Sequence, residues 1–238
     1  MSRDGGADHR GRGRARGFLY DNGLGLAFGA AFVLAITGQA IAGRAEFNSE
    51  LITDGLQPMG FLAYLTSSDF AVDVTENWQS EYLQFFLYIS VTVWLVQRGS
   101  PESKPVDKAG PESDHDQLTG EHARPDSPRW AAARDWRQAV YSHSLGLVMG
   151  TVFLLCWFSQ SVTGVASYNE RQLRQLQDPI GWAEYLGRAE FWSRTLQNWQ
   201  SELLAVASMA VLSIYLRQRG SPESKPVGAS HSTTGVEG

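Results

Sequence analysis

Nineteen consecutive residues, Leu24 to Ala42, carry no ionisable side chain. As an α-helix such a run reaches about 28 Å, close to the hydrocarbon thickness of a bilayer. Leu145 to Gly164 forms a second stretch of the same kind, also without a formal charge. Two further apolar runs, Tyr82 to Val96 and Leu203 to Leu216, are shorter. They reach only about 22 Å as helices, so to cross a membrane they must recruit the preceding turn. Those turns are Trp78–Glu81 and Trp199–Glu202, which sets each glutamate at the outer boundary of the apolar layer. The pattern predicts four transmembrane helices, at about 22–43, 78–97, 143–164 and 199–217.

Bulk composition points elsewhere: the net charge is −5 and the mean hydropathy −0.24, values typical of a soluble chain. The averages conceal segregation, because charge collects in the first twenty residues, a middle segment and the tail. The basic N-terminus (Arg10, Arg12, Arg14, Arg16) is followed by an apolar run too long for a signal peptide, which predicts a retained helix. The single cysteine, Cys156, excludes an intrachain disulfide framework. Fifteen of the 20 Lys and Arg residues fall in the N-tail, middle segment and C-tail, against five in the other two loops. The positive-inside rule then predicts a multi-pass protein of the cell's inner (cytoplasmic) membrane with both termini in the cytoplasm.

The chain also repeats itself. Residues 20–106 align on 141–227 without a gap at a shift of 121, and about 33 of the 87 pairs are identical. Asn-Trp-Gln-Ser-Glu stands at 77–81 and at 198–202, and a ten-residue Gln-Arg-Gly-Ser-Pro-Glu-Ser-Lys-Pro-Val peptide at 97–106 and 218–227. Each copy holds two spans, so the copies have parallel topology and imply a pseudo-twofold axis along the membrane normal. The predicted organisation is a disordered basic tail (1–17), repeat unit 1 (18–106), a disordered linker (107–130), repeat unit 2 (131–227) and a disordered tail (228–238). The linker is rich in Pro, Asp, Glu and Ser without apolar periodicity, and its His115 and His122 lack the partners of a metal site. The outer loops are about thirty residues long, and Pro58–Leu65 and Pro179–Leu186 each suggest a short interfacial helix opened by proline.

Identities on the first helix of each unit fall on one face. Gly25, Gly29, Phe32, Gln39 and Gly43 match Gly146, Gly150, Phe153, Gln160 and Gly164, within an arc of about 80°. The glycines Gly25, Gly29, Gly43, Gly146, Gly150 and Gly164 predict a helix-packing seam. A substrate path on the same face is the alternative. In the duplicated motif, Asn77 and Asn198 suit an N-cap, Trp78 and Trp199 the interface belt, and Glu81 and Glu202 the positive end of a helix dipole. Depth pairs Gln39 with Glu81 and Gln160 with Glu202 in predicted hydrogen bonds. An ionisable side chain at membrane depth is also a candidate for ion or proton binding. The peptide at 97–106 reads as a helix terminator with Gly99 as C-cap, and its duplication as a partner-binding segment or a recent gene duplication. No HExxH, GxSxG, phosphate loop or CxxC occurs. The expectation is therefore no enzyme activity, no cofactor, no metal site and no nucleic-acid partner.

The runs Asn22-Gly-Leu-Gly-Leu, Gly38-Gln-Ala-Ile-Ala-Gly43, Asn77-Trp-Gln-Ser-Glu81 and Gln97-Arg-Gly-Ser-Pro-Glu-Ser-Lys104 resemble the bacterial membrane family known as domain of unknown function 6766. In the second copy Tyr168-Asn-Glu, Phe191-Trp, Asn198-Trp-Gln-Ser-Glu-Leu and Arg217–Lys225 carry the same resemblance, and Phe47-Asn48-Ser49 departs from it mildly in the first. The resemblance implies a membrane protein and brings no activity, cofactor or catalytic residue. The fold expected is an all-α membrane protein with lipid and either a membrane protein or a second copy as partners. Its expected role is a non-enzymatic scaffold or accessory subunit, with a small channel or carrier built on Glu81 and Glu202 as the alternative.

Overall fold

The computed structural model describes residues 17–236, and among them every regular element is helical. Most of the expected N-terminal tail, residues 1–16, lies outside the described residues. After a helical turn over residues 17–21, α1 spans Gly23–Thr53, α2 Phe61–Leu65, α3 Ser68–Val91, α4 Trp136–Ser142, α5 Ser144–Arg174, α6 Trp182–Tyr185 and α7 Ala189–Tyr215. Residues 92–135 form turns and two short 3-10 segments, Val106–Lys108 and Gly120–His122. The chain divides into two compact units, Met1–Phe70 and Ala71–Gly238.

Two helices, α1 and α5, are long and apolar enough to cross a membrane. The long helices overrun the predicted spans: α1 and α5 run on past Gly43 and Gly164, and α3 and α7 begin before Trp78 and Trp199. No proline or glycine interrupts 68–91 or 189–215, so nothing in either stretch stops a helix at the apolar boundary. Helix α3 begins where the Ser67 hydroxyl accepts from the Phe70 amide, 3.2 Å, in the manner of an N-cap. Asn77 and Asn198 are therefore helix-interior residues and not N-caps; each side-chain amide donates back one turn, to the Asp73 and Arg194 carbonyls. The dipole argument for Glu81 and Glu202 falls with it, since both lie more than three turns from a helix start. At the other end α3 stops at Val91, so Gly99 caps no helix; it occupies a turn with φ +87°.

Helix α1 ends at Asp54, and Gly55 (φ +75°) takes the left-handed position that lets the Leu56 amide reach the Leu51 carbonyl at 2.7 Å. Helix α5 ends in the same way 121 residues later, with Gln177 donating to Gln172 at 2.8 Å. There the left-handed residue is Leu176, φ +56° and almost fully exposed. The short helices α2 and α6 start at Phe61 and Trp182, behind the extended residues Gly60 and Gly181; Pro58 and Pro179 precede them and do not open them.

Candidate functional site

The loop after each long helix is tied back to it by an asparagine, beside Arg44, which donates to the Met59 carbonyl at 3.0 Å in the first, and Trp182, which donates to Ser161 at 3.0 Å in the second. The Asn48 side chain accepts from the Met59 amide at 2.7 Å and donates to the Met59 carbonyl at 3.1 Å. Asn169 does the same to Ile180, at 2.8 and 2.9 Å. A tyrosine then folds onto a helix glycine: Tyr64 covers Gly43, and Tyr185 covers Gly164, where a Cβ would stand 2.6 Å from the phenol oxygen. The rings complete matching clusters, Phe47–Tyr64–Phe70 in the first unit and Tyr168–Tyr185–Phe191 in the second, with centroids 5.5–5.8 Å apart. Asn48 and Asn169 carry no role in the motif reading of the sequence. The signal was there: they are identical between the copies while the residues on either side of them differ.

The glycine seam is used unevenly. Gly43 and Gly164 are tyrosine seats, and a Cβ on Gly150 would lie 3.1 Å from the Phe86 ring. Gly146 stands nearest Ser90, while Gly25 and Gly29 have nothing within 4 Å among the described residues. What crosses the Gly150 surface is thus an aromatic side chain from α3.

Below the Tyr185 cluster the second unit carries a buried polar layer. Gln79, Ser80, Gln160 and Thr195 are all at most 1 % exposed. The indole N–H of Trp199 donates to Gln79 Oε1 at 2.8 Å, so the second Asn-Trp-Gln-Ser-Glu motif bonds directly to the first. Gln160 does not reach Glu202. Its Nε2 donates to Thr195 Oγ1 at 3.4 Å, from the turn of α7 before the motif. Thr195 matches Val74 in the first copy, so comparing the copies points away from it. Glu202 accepts from the neighbouring Ser201 hydroxyl, at 3.5 Å. Phe153, Trp157 and Trp199 wall the layer with ring centroids 5.8–6.3 Å apart. Among the described residues Gln79 Nε2, Gln160 Oε1 and Trp157 Nε1 are buried and meet no hydrogen-bond partner.

One helical turn before Gln79 on α3, Glu76 lies 2.9 Å from Arg194 of α7, and Asp73 lies 3.4 Å from it. Burial pushes the Glu76 carboxyl above its usual range even though the guanidinium opposes the shift. Burial lowers the affinity of Arg194 for its proton, and the two carboxylates more than restore it, so its pKa ends raised. Tyr185 is pushed up to about 12, mainly by burial, with Glu190 adding to it. Among the described residues no group of three or more His, Cys, Asp and Glu side chains is placed to hold a metal ion.

The comparison with known families follows the same extent of chain. A family model matches residues 15–236, nearly all of it. The chain belongs to the family described as domain of unknown function (DUF6766). Neither the curated proteins nor the solved structures contain a match. In this member of the DUF6766 family one residue of each motif, Gln79 and Trp199, makes a helix-to-helix hydrogen bond. Gln39 is half-buried on α1, in the other compact unit, and Glu81 is exposed on α3.

Proposed function

We propose that this protein is a four-span integral membrane protein, two helix pairs of parallel topology related by a pseudo-twofold axis, that acts as a non-enzymatic scaffold or accessory subunit. The proposed location is the inner membrane, with both termini in the cytoplasm. One observation carries the reading: the two copies of the motif are joined helix to helix by the Trp199–Gln79 bond, while apolar side chains dominate the exposed surface of α1 and α5. A buried amide–indole bond holds helices together in lipid, where no aqueous competitor exists. Exposed Leu24, Phe28, Leu34, Leu145, Leu154 and Phe158 have the chemistry of a lipid-facing surface. The expected partners are the bilayer and a membrane protein or a second copy.

A specific observation favours a second reading, a small channel or carrier. The polar layer keeps unused hydrogen-bonding capacity at Gln79, Gln160 and Trp157. Glu81 and Glu202 stand at matching positions of the two copies and are the carboxylates such a carrier would use.

The two readings separate in one pair of experiments. Single cysteines placed at 8, 115 and 232 should label only from the cytoplasmic side, and positions 56 and 177 only from outside, in a Cys156→Ser background. Reconstituted protein should then show no flux of protons or alkali cations above empty liposomes, and affinity capture from membranes should recover a reproducible partner. Flux that disappears in Glu81→Gln/Glu202→Gln would replace the scaffold by the carrier.

A further inference from the structure

We propose that the duplicated Gln-Arg-Gly-Ser-Pro-Glu-Ser-Lys peptide is a socket for passing backbone, and that residues 229–235 of this chain's own C-terminal tail are the segment that fills it. The two copies fold alike. In each, the serine hydroxyl of the Glu-Ser-Lys part accepts from the backbone amide of the leading glutamine: Ser103 from Gln97 at 2.8 Å, Ser224 from Gln218 at 2.9 Å. In each, the amide of the first serine closes a turn on that glutamine's carbonyl: Ser100 on Gln97 at 3.1 Å, Ser221 on Gln218 at 3.2 Å. Gly99 and Gly220 both have φ above +80°. The loop is therefore built the same way twice, and its lysine projects from a fixed frame.

What the lysines hold differs. Lys104 donates to the Gly110 carbonyl at 3.0 Å and lies 3.1 Å from Glu112, so it ties down the segment that follows the first copy. Lys225 is 1 % exposed and its ammonium faces four backbone carbonyls: Gly99 at 2.6 Å, His231 at 3.1 Å, and Ser230 and Thr233 at 3.2 Å. An ammonium has three protons and no acceptor, so a ring of carbonyls without a carboxylate suits it and binds backbone irrespective of side chain. Three of the four carbonyls belong to the tail, and the fourth to the other copy of the peptide.

The tail completes the joint with its own bonds. Thr234 Oγ1 accepts from the Gly99 amide at 2.8 Å, and the Gly235 amide donates to the Ser100 carbonyl at 3.1 Å. Arg217 donates to the Ala229 carbonyl at 3.1 Å, and His231 Nδ1 lies 2.9 Å from the Ile214 carbonyl. A Cβ on Gly99 would stand 2.5 Å from the His231 carbonyl oxygen, whereas one on Gly220 would meet nothing within 4 Å. The same glycine thus has a conformational role in both copies and an additional close-approach role only where the tail passes. The composition of residues 228–238, polar and without apolar periodicity, gives the tail no order of its own; docking supplies it.

Hydrogen–deuterium exchange on the full-length protein in nanodiscs tests this. In the wild type the Gly99 and Gly235 amides should be protected. Lys225→Met keeps the length of the side chain and removes the ammonium; it should accelerate exchange at Gly99 and Gly235 on the order of tenfold or more while α7 amides stay unchanged. Lys104→Met should leave Gly99 and Gly235 as in the wild type. A chain ending at Gly228 should lose protection at Gly99, and a synthetic peptide of residues 228–236 at millimolar concentration should restore it. The proposal is overturned if the wild-type tail exchanges at unprotected rates, if Lys225→Met leaves Gly99 and Gly235 protected, or if the peptide restores nothing.

Discussion

Trp199 donates its indole N–H to the Gln79 side chain at 2.8 Å, which joins the second residue of one Asn-Trp-Gln-Ser-Glu motif to the third residue of the other. The Gln79 amide is oriented by that bond, because the indole can only donate. Replacing Gln79 with leucine should leave the indole N–H buried without a partner and cost about 1–3 kcal/mol. Replacing Trp199 with phenylalanine in the same chain should recover part of the loss. Reversible unfolding of the three variants in a single detergent, followed by tryptophan fluorescence, measures the coupling.

Gly164 is a seat for Tyr185, so Gly164→Ala should force the ring away and destabilise the second unit by about 1–3 kcal/mol. Gly25→Ala meets nothing within 4 Å. Within one chain it should be neutral or stabilising by up to about 1 kcal/mol, from the alanine's higher helix propensity. Thermal melts of the two variants should therefore move in different directions. Equal losses would show that Gly25 is packed against something outside the described chain.

Leu176 holds a left-handed backbone conformation that its counterpart Gly55 adopts freely. For an L-residue this conformation costs about 1–2 kcal/mol. Its side chain is almost fully exposed and offers little packing to set against that cost. Leu176→Gly should raise stability by roughly 0.5–1 kcal/mol, less than the full strain because glycine loosens the unfolded chain. A lowered melting temperature would mean that the α5 terminus does not close as described.

The Tyr185 phenol is pushed up to about 12 from an ordinary value near 10. A raised pKa in the folded state means that the unfolded chain releases the proton first. The stability contributed by the neutral phenol is complete below pH 10 and is lost as the pH rises towards 12. Stability should fall across that interval in the wild type and fall less in Tyr185→Phe. Ultraviolet titration of the tyrosinate band should show one late-ionising phenol that disappears in the variant.

Arg194 shares Glu76 and Asp73, and the Glu76 side chain is 16 % exposed. Arg194→Met should leave a carboxylate without its cation and cost about 2–4 kcal/mol at pH 7, near the lower end of losses for broken buried pairs because both side chains keep some solvent. Glu76→Gln added to it should recover much of that. Glu76 has its pKa raised, so by the same linkage protonation favours the folded form. The Arg194→Met penalty should shrink as the pH is lowered towards the carboxylate range. Urea titrations at pH 7 and pH 5 provide the comparison.

A good part of this structure can be read directly from the sequence. Charge-free stretches of span length can only bury their backbone groups as helices in an apolar medium, and α1 and α5 are such helices. The shift of 121 residues pairs Asn48 with Asn169, Tyr64 with Tyr185 and Gly43 with Gly164, and the same contacts form at both places. Local geometry was determined there, because each contact lies within one loop and the helix beside it.

What tertiary structure decided are the partners drawn from distant helices and the true helix ends. Asparagine is a good cap in isolation, but without a proline or glycine upstream the helix continues past Asn77 and Asn198 to Ser68 and Ala189. Depth along a helix suggested Glu202 as the partner of Gln160; azimuth selects Thr195, and azimuth depends on how α5 and α7 pack. Two identical peptides hold different segments, because a lysine binds whichever carbonyls the fold brings within reach. The chain's own repeat marks Gln79, Gln160 and Trp199 as polar positions shared by both copies, and leaves Thr195, which matches Val74, unmarked. Which of them meet was left to the packing of the helices, since a hydrogen bond needs direction and distance that a one-dimensional spacing does not contain.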